Sequence, residues 1–260
     1  MRDRNVKIRT ASSDIKRAFT GRGFIIGLFG MVVAVILSSL EDIINVARST
    51  EPLMNGYHFE FIKKALSSAW VTLAIPKLCS LPFTSAFVDD VKSGFIKQYL
   101  HRAGYKPYIR SKLLACGLSG GAVLFFGILI SYALVYLVFT PMELALAKGQ
   151  TPQPYLAQIL MIAATLFLSG AFWSLVGFTM SALTMNRYMA YASPFILYYV
   201  LIILHERYFD KLYVLYPKEW LFPSEGWVLG SFGVMLLLAE LTAAVCLAFA
   251  LTARRRLANV

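Results

Sequence analysis

Six long apolar runs recur along the chain, separated by shorter polar segments. A helix of about 20 apolar residues crosses the ~30 Å hydrocarbon core of a bilayer, and the runs approach or exceed that length. We therefore predict an all-α integral membrane protein in which residues 1–260 form a single transmembrane domain with six spans. The predicted spans cover residues 23–40, 65–86, 113–139, 155–183, 189–204 and 228–253.

Glycine and proline positions modify this pattern within the spans. The first span begins with Gly23 and Gly27, a spacing of small residues that permits close helix packing. The second span contains Pro76 and Pro82, and the fifth contains Pro194, so we expect kinks or breaks at these positions. Between the first two spans, residues 41–64 read as a polar outer loop.

The first 22 residues form a basic segment with two interpretations. It carries seven Lys or Arg side chains and only two acidic ones. Ile15 and Phe19 add apolar positions at roughly helical spacing, which favours an amphipathic helix lying on the inner membrane surface. The alternative is a solvated basic tail that only fixes the orientation of the protein.

Residues 205–227, between the last two spans, are unusually aromatic for an outer loop. One interpretation is a belt of Tyr and Trp side chains at the membrane interface. The other is a re-entrant helical hairpin, which hides apolar surface better and is tolerated at membrane depth when it packs against protein. The apolar character extends over most of the segment, so we favour the hairpin.

The charge distribution orients the predicted spans. Only 15% of the residues are charged, against about 25% in soluble domains, and the mean hydropathy is +0.64. The net charge is +11, with seventeen Lys or Arg in the predicted inner segments and seven in the outer ones. The positive-inside rule then places both termini in the cytoplasm. Orientation accounts for the basic excess, so we expect no nucleic-acid partner.

The sequence contains no recognisable catalytic or metal-binding motif. It lacks a GxxxxGK[ST] phosphate loop, HExxH, GxSxG and CxxC. The three histidines fall in separate loops, and the three cysteines lie in or next to apolar runs. We therefore expect no catalytic, cofactor-binding or metal-binding residues, and no enzymatic activity in this chain.

Two ionisable residues, Lys77 and Glu240, lie deep in the second and sixth predicted spans. A charge at the centre of a span costs at least ~2.5 kcal/mol unless it is paired or hydrated. Three interpretations stay open: an ion pair between the two, a position along a substrate pathway, or an isolated role. In the last case Lys77 reaches toward the interface and Glu240 is protonated against neighbouring hydroxyl groups.

Residues 86–112 stand out because they are too polar for lipid and too apolar for a free linker. The segment opens with Asp89 and Asp90, is interrupted by Gly94, and then becomes basic and aromatic as far as Lys112. Such a segment belongs at the cytoplasmic membrane boundary, with its apolar side chains against a partner. It would alternatively lie on anionic lipid, which its basic residues favour.

These features together resemble the permease subunit of ABC-2 type transporters. That family has six spans, both termini on the cytoplasmic side, an N-terminal interfacial helix and an outer re-entrant hairpin. It often carries an acidic residue after the second span, a glycine four positions later, and a lysine at the start of the third span. Asp90, Gly94 and Lys112 occupy these positions here. The chain differs in having Asp90 where Glu is common and Phe95 where Thr is common.

The resemblance implies that residues 86–112 contain a coupling helix that docks on a separate ATP-binding subunit. ATP and Mg would bind that partner and not this chain. The other implied partners are a second permease chain, identical or not, and membrane lipid, in a prokaryotic cell membrane. The residues implied in coupling are Asp90, Gly94, Phe95, Tyr99, Arg102, Tyr108 and Lys112.

The implied function is ATP-driven export of a hydrophobic or amphipathic substrate such as a lipid, a peptide antibiotic or a drug. The family architecture suggests a pathway wall from the second and fifth spans, including Tyr191, Tyr198 and Tyr199. The alternative is a membrane scaffold or immunity protein that binds a peptide or lipid without transport. A membrane enzyme is a third and less supported class.

Overall fold

The computed structural model describes most of the chain as helix. The described residues are 2–49, 52–96, 104–145, 153–209, 212–224, 227 and 229–257, with side chains from residue 11 onward. They contain no strand, and the one isolated backbone bridge among them joins Leu53 to Glu143. The helices are α1 Arg2–Thr20, α2 Arg22–Ser38, α3 Leu40–Arg48, α4 Tyr57–Ser67, α5 Ala69–Leu78, α6 Ala86–Lys92, α7 Tyr105–Phe139, α8 Tyr155–Thr184, α9 Arg187–Arg207 and α10 Gly230–Leu257.

Four helices, α7 to α10, are long and apolar enough to cross a membrane. They coincide with the third to sixth predicted spans. Helices α1 and α2 meet at a 48° bend and count as a fifth span if they are taken together. The prediction of an all-helical membrane protein is confirmed, and the number of six spans stays a prediction.

The second predicted span is broken into pieces. Helix α5 has 10 residues, so it rises only about 15 Å, half of a hydrocarbon core. Ser68 caps its start by accepting a hydrogen bond from the Val71 N–H at 3.4 Å. Pro76 lies inside the helix, and the turns that hold Pro82 separate it from α6. The predicted break at these prolines is thus present.

Helix α8 lies at the centre of the bundle, packed against α7, α9 and α10. Helix α2 packs against α5 and α7. The predicted close approach at Gly27 is confirmed, because a Cβ there would lie 2.9 Å from the Leu78 carbonyl oxygen. A methyl group would therefore push α2 away from the end of α5.

We call the end of the bundle that holds α6 and the start of α7 the inner end, after its predicted cytoplasmic location. The end of α7 and the start of α8 lie at the opposite, outer end. Helix α1 packs along α7 from the inner end and buries Ala18. The predicted N-terminal helix is confirmed as a helix, and its position on the membrane surface stays a prediction.

The prediction of a polar loop at residues 41–64 is wrong. Most of this stretch forms α3 and α4. Helix α4 buries Phe61 and Ile62, and the Phe61 ring lies 5.1 Å from the Phe139 ring at the end of α7. Both helices are amphipathic, so their polar faces gave the segment the look of a loop.

The predicted helical hairpin at residues 205–227 is also absent from the described residues. After α9 the chain forms two single 3-10 turns, Tyr213–Leu215 and Pro217–Trp220. Trp220 is 2% exposed and stacks on Trp173 of α8, with 5.8 Å between ring centroids. The apolar content of the segment is explained by this packing, while its re-entry into the membrane stays a prediction.

Candidate functional site: a charge cluster at the inner end

Lys112, near the start of α7, is the centre of a buried group of charges. Its side chain is 2% exposed. The Lys112 Nζ lies 2.6 Å from Asp90 Oδ2 of α6 and 2.8 Å from Asp14 Oδ1 of α1. It also lies 5.1 Å from the centre of the Phe83 ring. One lysine therefore joins three elements that are far apart in sequence.

Asp90 completes the group from the side of α6. Its Oδ2 accepts a hydrogen bond from the Tyr108 hydroxyl at 3.0 Å, and its Oδ1 pairs with Arg17 of α1 at 3.1 Å. We call Asp14, Arg17, Asp90, Tyr108 and Lys112 the inner charge cluster. It contains two acids and two bases, so the formal charges balance. Buried charges are tolerated in proteins when they are paired and hydrogen-bonded in this way.

Three of the residues that the resemblance implied, Asp90, Tyr108 and Lys112, are therefore in contact. Asp14 and Arg17 were missed because the N-terminal segment was interpreted through its net charge and its apolar positions, and not through individual charged residues. A usable signal did exist. Asp14 is one of two acids in a strongly basic stretch, and an isolated acid there suggests a specific basic partner.

Asp89 makes a second connection from α6, to the start of α9. Its carboxylate pairs with Arg187 and accepts a hydrogen bond from the Ser85 hydroxyl at 3.0 Å. The Tyr191 hydroxyl donates to Ser85 Oγ at 3.3 Å. The adjacent aspartates of α6 thus reach different helices: Asp90 reaches α1 and α7, and Asp89 reaches α9.

Gly94 and Phe95 follow directly after α6. Gly94 has φ of +72°, a left-handed conformation that favours glycine, and its N–H donates to the Val91 carbonyl at 3.1 Å. No atom of the described residues lies within 4 Å of where its Cβ would be, so the backbone conformation favours glycine here. Phe95 is 49% exposed, whereas Ile96 is buried.

A cleft of about 400 Å³ opens beside this turn. It is lined by Arg17, Asp89, Asp90, Ser93, Phe95 and Arg187. The cleft therefore combines charged groups of three helices with an exposed aromatic ring. Tyr99 and Arg102, also implied in coupling, lie outside the described residues.

Lys77 and Glu240 are not brought together. Helix α5 packs on α2 and α9, whereas α10 packs on α8, and both side chains are exposed. Within the described part of the chain, neither residue forms an ion pair. The structure thus shows no Lys77–Glu240 pair, and a role for either residue along a pathway stays a prediction.

The three tyrosines proposed for a pathway wall do not share one surface. Tyr198 is buried against Trp173, with 5.5 Å between ring centroids, whereas Tyr199 is 51% exposed. Tyr191 lies near the inner end and bonds to Ser85. Consecutive residues of a helix point about 100° apart, so Tyr198 and Tyr199 serve different surfaces.

The described residues contain no group of three His, Cys, Asp or Glu side chains that would hold a metal ion. Comparison of the chain with protein-family models, with curated proteins and with solved structures gives no match. The functional interpretation therefore depends on the residues and their geometry.

Proposed function

We propose that this chain is the membrane-spanning permease subunit of an ABC-2 type transporter that is driven by a separate ATP-hydrolysing subunit. The observation that supports this most is the position of α6. The turn that follows it carries the exposed Phe95 at the inner end, and the two aspartates of α6 bond to α1, α7 and α9. A partner that grips the turn after α6 would act on most of the bundle at once.

The physical mechanism is rigid-body transmission. When the partner moves α6, Asp90 carries α1 and α7 with it, and Asp89 carries α9. Separating a buried ion pair leaves uncompensated charges, which costs about 3–5 kcal/mol. The Lys112–Asp90 contact is buried enough for this to apply, so displacing the helices together is easier than breaking the connection.

The chain also contains positions where such a movement could be absorbed. The short helices α4 and α5 meet at Ser68, and Pro76 and Pro194 interrupt the hydrogen bonding of α5 and α9. Hinges of this kind typically absorb the dihedral changes of a domain movement. Of these positions, Pro194 lies in a helix that α6 reaches directly, because Asp89 pairs with Arg187 of α9.

The proposed substrate class is hydrophobic or amphipathic: a lipid, a peptide antibiotic or a drug. The exposed face of α9, which includes Phe195, Ile196 and Tyr199, suits either lipid or a second permease chain. A pathway between two permease chains would let such a surface contact an apolar cargo. ATP and Mg are required only in the partner subunit.

The proposal is tested by purifying the chain from membranes and assaying the material for ATPase activity. We expect an ATPase subunit with a phosphate loop to co-purify. Phe95→Ala should reduce its recovery by about tenfold, since aromatic residues dominate many interfaces. Phe232→Ala is the matched control, because Phe232 is 56% exposed on α10 at the outer end. Equal recovery with both variants, or no ATPase with the unaltered chain, would contradict the proposal.

The second candidate is a scaffold or immunity protein without transport. The inner charge cluster is compatible with a scaffold, because the same ion pairs would also stabilise a static bundle. A neighbouring reading frame that encodes an ATPase would favour transport, and a solitary gene would favour the scaffold.

A further inference from the structure

A second polar site lies at the outer end, away from the inner charge cluster. A cavity of about 820 Å³ opens between the end of α7, the start of α8 and the segment before α4. This volume falls within the range of small-molecule sites. Three tyrosines line it, Tyr132 and Tyr136 from α7 and Tyr155 from α8, together with His58 and Glu143. We call this cavity the outer pocket.

Glu143 is fixed in the wall of the outer pocket by hydrogen bonds. Its side chain is 5% exposed. The carboxylate accepts the backbone N–H groups of Gly56 at 3.0 Å and His58 at 2.8 Å, and lies 2.8 Å from His58 Nδ1. The Leu53 N–H donates a hydrogen bond to the Met142 carbonyl, and the Leu53 carbonyl accepts one from the Leu144 N–H. Several independent hydrogen bonds therefore fix the position of Glu143 in the pocket wall.

The Glu143 carboxylate remains charged near neutral pH. Burial raises its pKa, but the hydrogen bonds from the His58 and Gly56 backbone and from the His58 ring together lower the pKa below its ordinary value. Among the described residues that line the outer pocket, none is Lys or Arg. The wall of the outer pocket therefore contains a carboxylate whose basic neighbour among the described lining residues is the His58 ring, 2.8 Å away.

Aromatic rings of the pocket wall pack around His58, the hydrogen-bond partner of this carboxylate. The His58 ring lies 5.7 Å from Tyr132, 5.2 Å from Tyr136 and 5.2 Å from Tyr155, measured between ring centroids. The faces of tyrosine rings attract cations, and aromatic enclosures of this kind recognise quaternary ammonium groups. Leu137 and Leu156 border the pocket and are mostly exposed, so apolar surface continues from its opening.

We propose that the outer pocket binds an organic ammonium group, most favourably a quaternary ammonium such as the choline moiety. The tyrosine rings and the Glu143 carboxylate attract the positive charge, and Leu137 and Leu156 accommodate an attached alkyl chain. The group would come from a free cation or from a choline lipid headgroup. This inference does not depend on transport or on an ATPase partner.

The test uses the purified full-length chain in a maltoside detergent, which carries no ammonium group. Binding of choline is compared by calorimetry with 3,3-dimethylbutan-1-ol, a neutral molecule of nearly the same shape. We expect choline to bind at least about fivefold more tightly, because only the cation gains from the ring faces and the carboxylate. Equal binding of the two, or no binding of any choline compound, would overturn the proposal.

Variants at Tyr136 locate the binding site. Tyr136→Leu removes a ring and should weaken choline binding about fivefold, whereas Tyr136→Phe keeps the ring and should preserve most of it. Tyr136 is 45% exposed, so neither change should unfold the protein. If both variants bind like the unaltered chain, the cation lies elsewhere and the assignment is wrong.

A third arm identifies the source of the ammonium group. Lysophosphatidylcholine is compared with free choline and with a lysophosphatidylglycerol of the same chain length. Much tighter binding of the choline lipid than of free choline assigns the pocket to a lipid headgroup, and similar binding assigns it to free cations. Preference for the glycerol lipid would contradict the proposal.

Discussion

At the scale of single residues, Lys112 has the largest consequence for the fold. It pairs with two carboxylates inside the inner charge cluster, and its side chain is almost entirely buried. The chain also contains an exposed lysine of similar pairing, because Lys64 Nζ lies 2.6 Å from Asp42 Oδ1 at a surface position. The two lysines therefore separate the effect of burial from the effect of pairing.

We predict that Lys112→Met lowers the free energy of unfolding by about 3–5 kcal/mol, because Asp14 and Asp90 lose a buried counter-ion. The measurement is chemical or thermal unfolding of the purified protein in detergent. Lys64→Met is the control and should have a smaller effect, since the Lys64 side chain is 70% exposed and exposed ion pairs stabilise proteins little. A similar loss in both variants would show that the cluster is not energetically special.

Glu143 gives a prediction for pH. Its pKa is lower in the folded chain than the ordinary value of 4.5, so folding favours the charged form. The resulting stability is fully present above pH 4.5 and is lost as the pH falls through the folded pKa. Glu143→Gln should therefore lose stability at pH 7 but show a weaker decline below about pH 4.5. Thermal unfolding from pH 7 to pH 3.5 measures the difference, and parallel curves for both proteins would contradict it.

At the scale of elements, the segment between α9 and α10 behaves as part of the core. Trp220 packs against Phe172 and Trp173 of α8, with 5.8 Å between its ring centroid and each of theirs. Its indole N–H donates to the Val214 carbonyl at 3.0 Å. The 3-10 turns thus pack against the interior of α8, well away from its start at Tyr155, without forming an α-helix of their own.

Trp220→Ala should lower the free energy of unfolding by about 3–5 kcal/mol through the cavity it leaves. Trp70→Ala is the matched control, because Trp70 is 79% exposed on α5. The thermal midpoint in detergent should fall strongly in the first variant and little in the second. Equal shifts would mean that the packing of Trp220 does not stabilise the bundle.

Many of the helices could be predicted from the sequence, and the wrong predictions have physical causes. The long runs that became α7 to α10 are apolar on all sides, so hydropathy finds them without knowledge of their neighbours. Helices α3 and α4 were not predicted, because amphipathic helices contain about as many polar residues as a loop does. The helical hairpin was predicted from the apolar content of its segment. Apolar residues in 3-10 turns can also be buried, here by packing on α8.

The candidate site was predicted only in part for a similar reason. Asp90, Tyr108 and Lys112 belong to one local motif, whereas Asp14, Arg17 and Arg187 reach it through tertiary folding. A single sequence does not encode which charged residue of α1 meets which residue of α7. The partners of a motif are therefore harder to predict than the motif.

At the scale of the whole molecule, the orientation across the membrane is a separate prediction. With the three native cysteines replaced, a cysteine at Ser93 should react only with reagents applied from the cytoplasm. A cysteine at Gln153 should react only from outside, because the two exposed positions lie at opposite ends of the bundle. Labelling of intact cells and inverted vesicles measures this. Reaction of both positions from one side would refute the predicted topology.

The proposed transporter function predicts that an external ATPase binds the turn after α6. Helix α6, directly before this turn, is connected by ion pairs to α1, α7 and α9. In a static scaffold, no ATPase would contact the turn after α6.

The most direct measurement is photo-crosslinking in native membranes from a photoreactive amino acid placed at Phe95. Mass spectrometry then identifies what is joined to it, and the same amino acid at Phe232 is the control. The account predicts a crosslink from Phe95 to a protein with an ATP-binding phosphate loop, and none from Phe232. Crosslinks to lipid alone, or the same products from both positions, would contradict it.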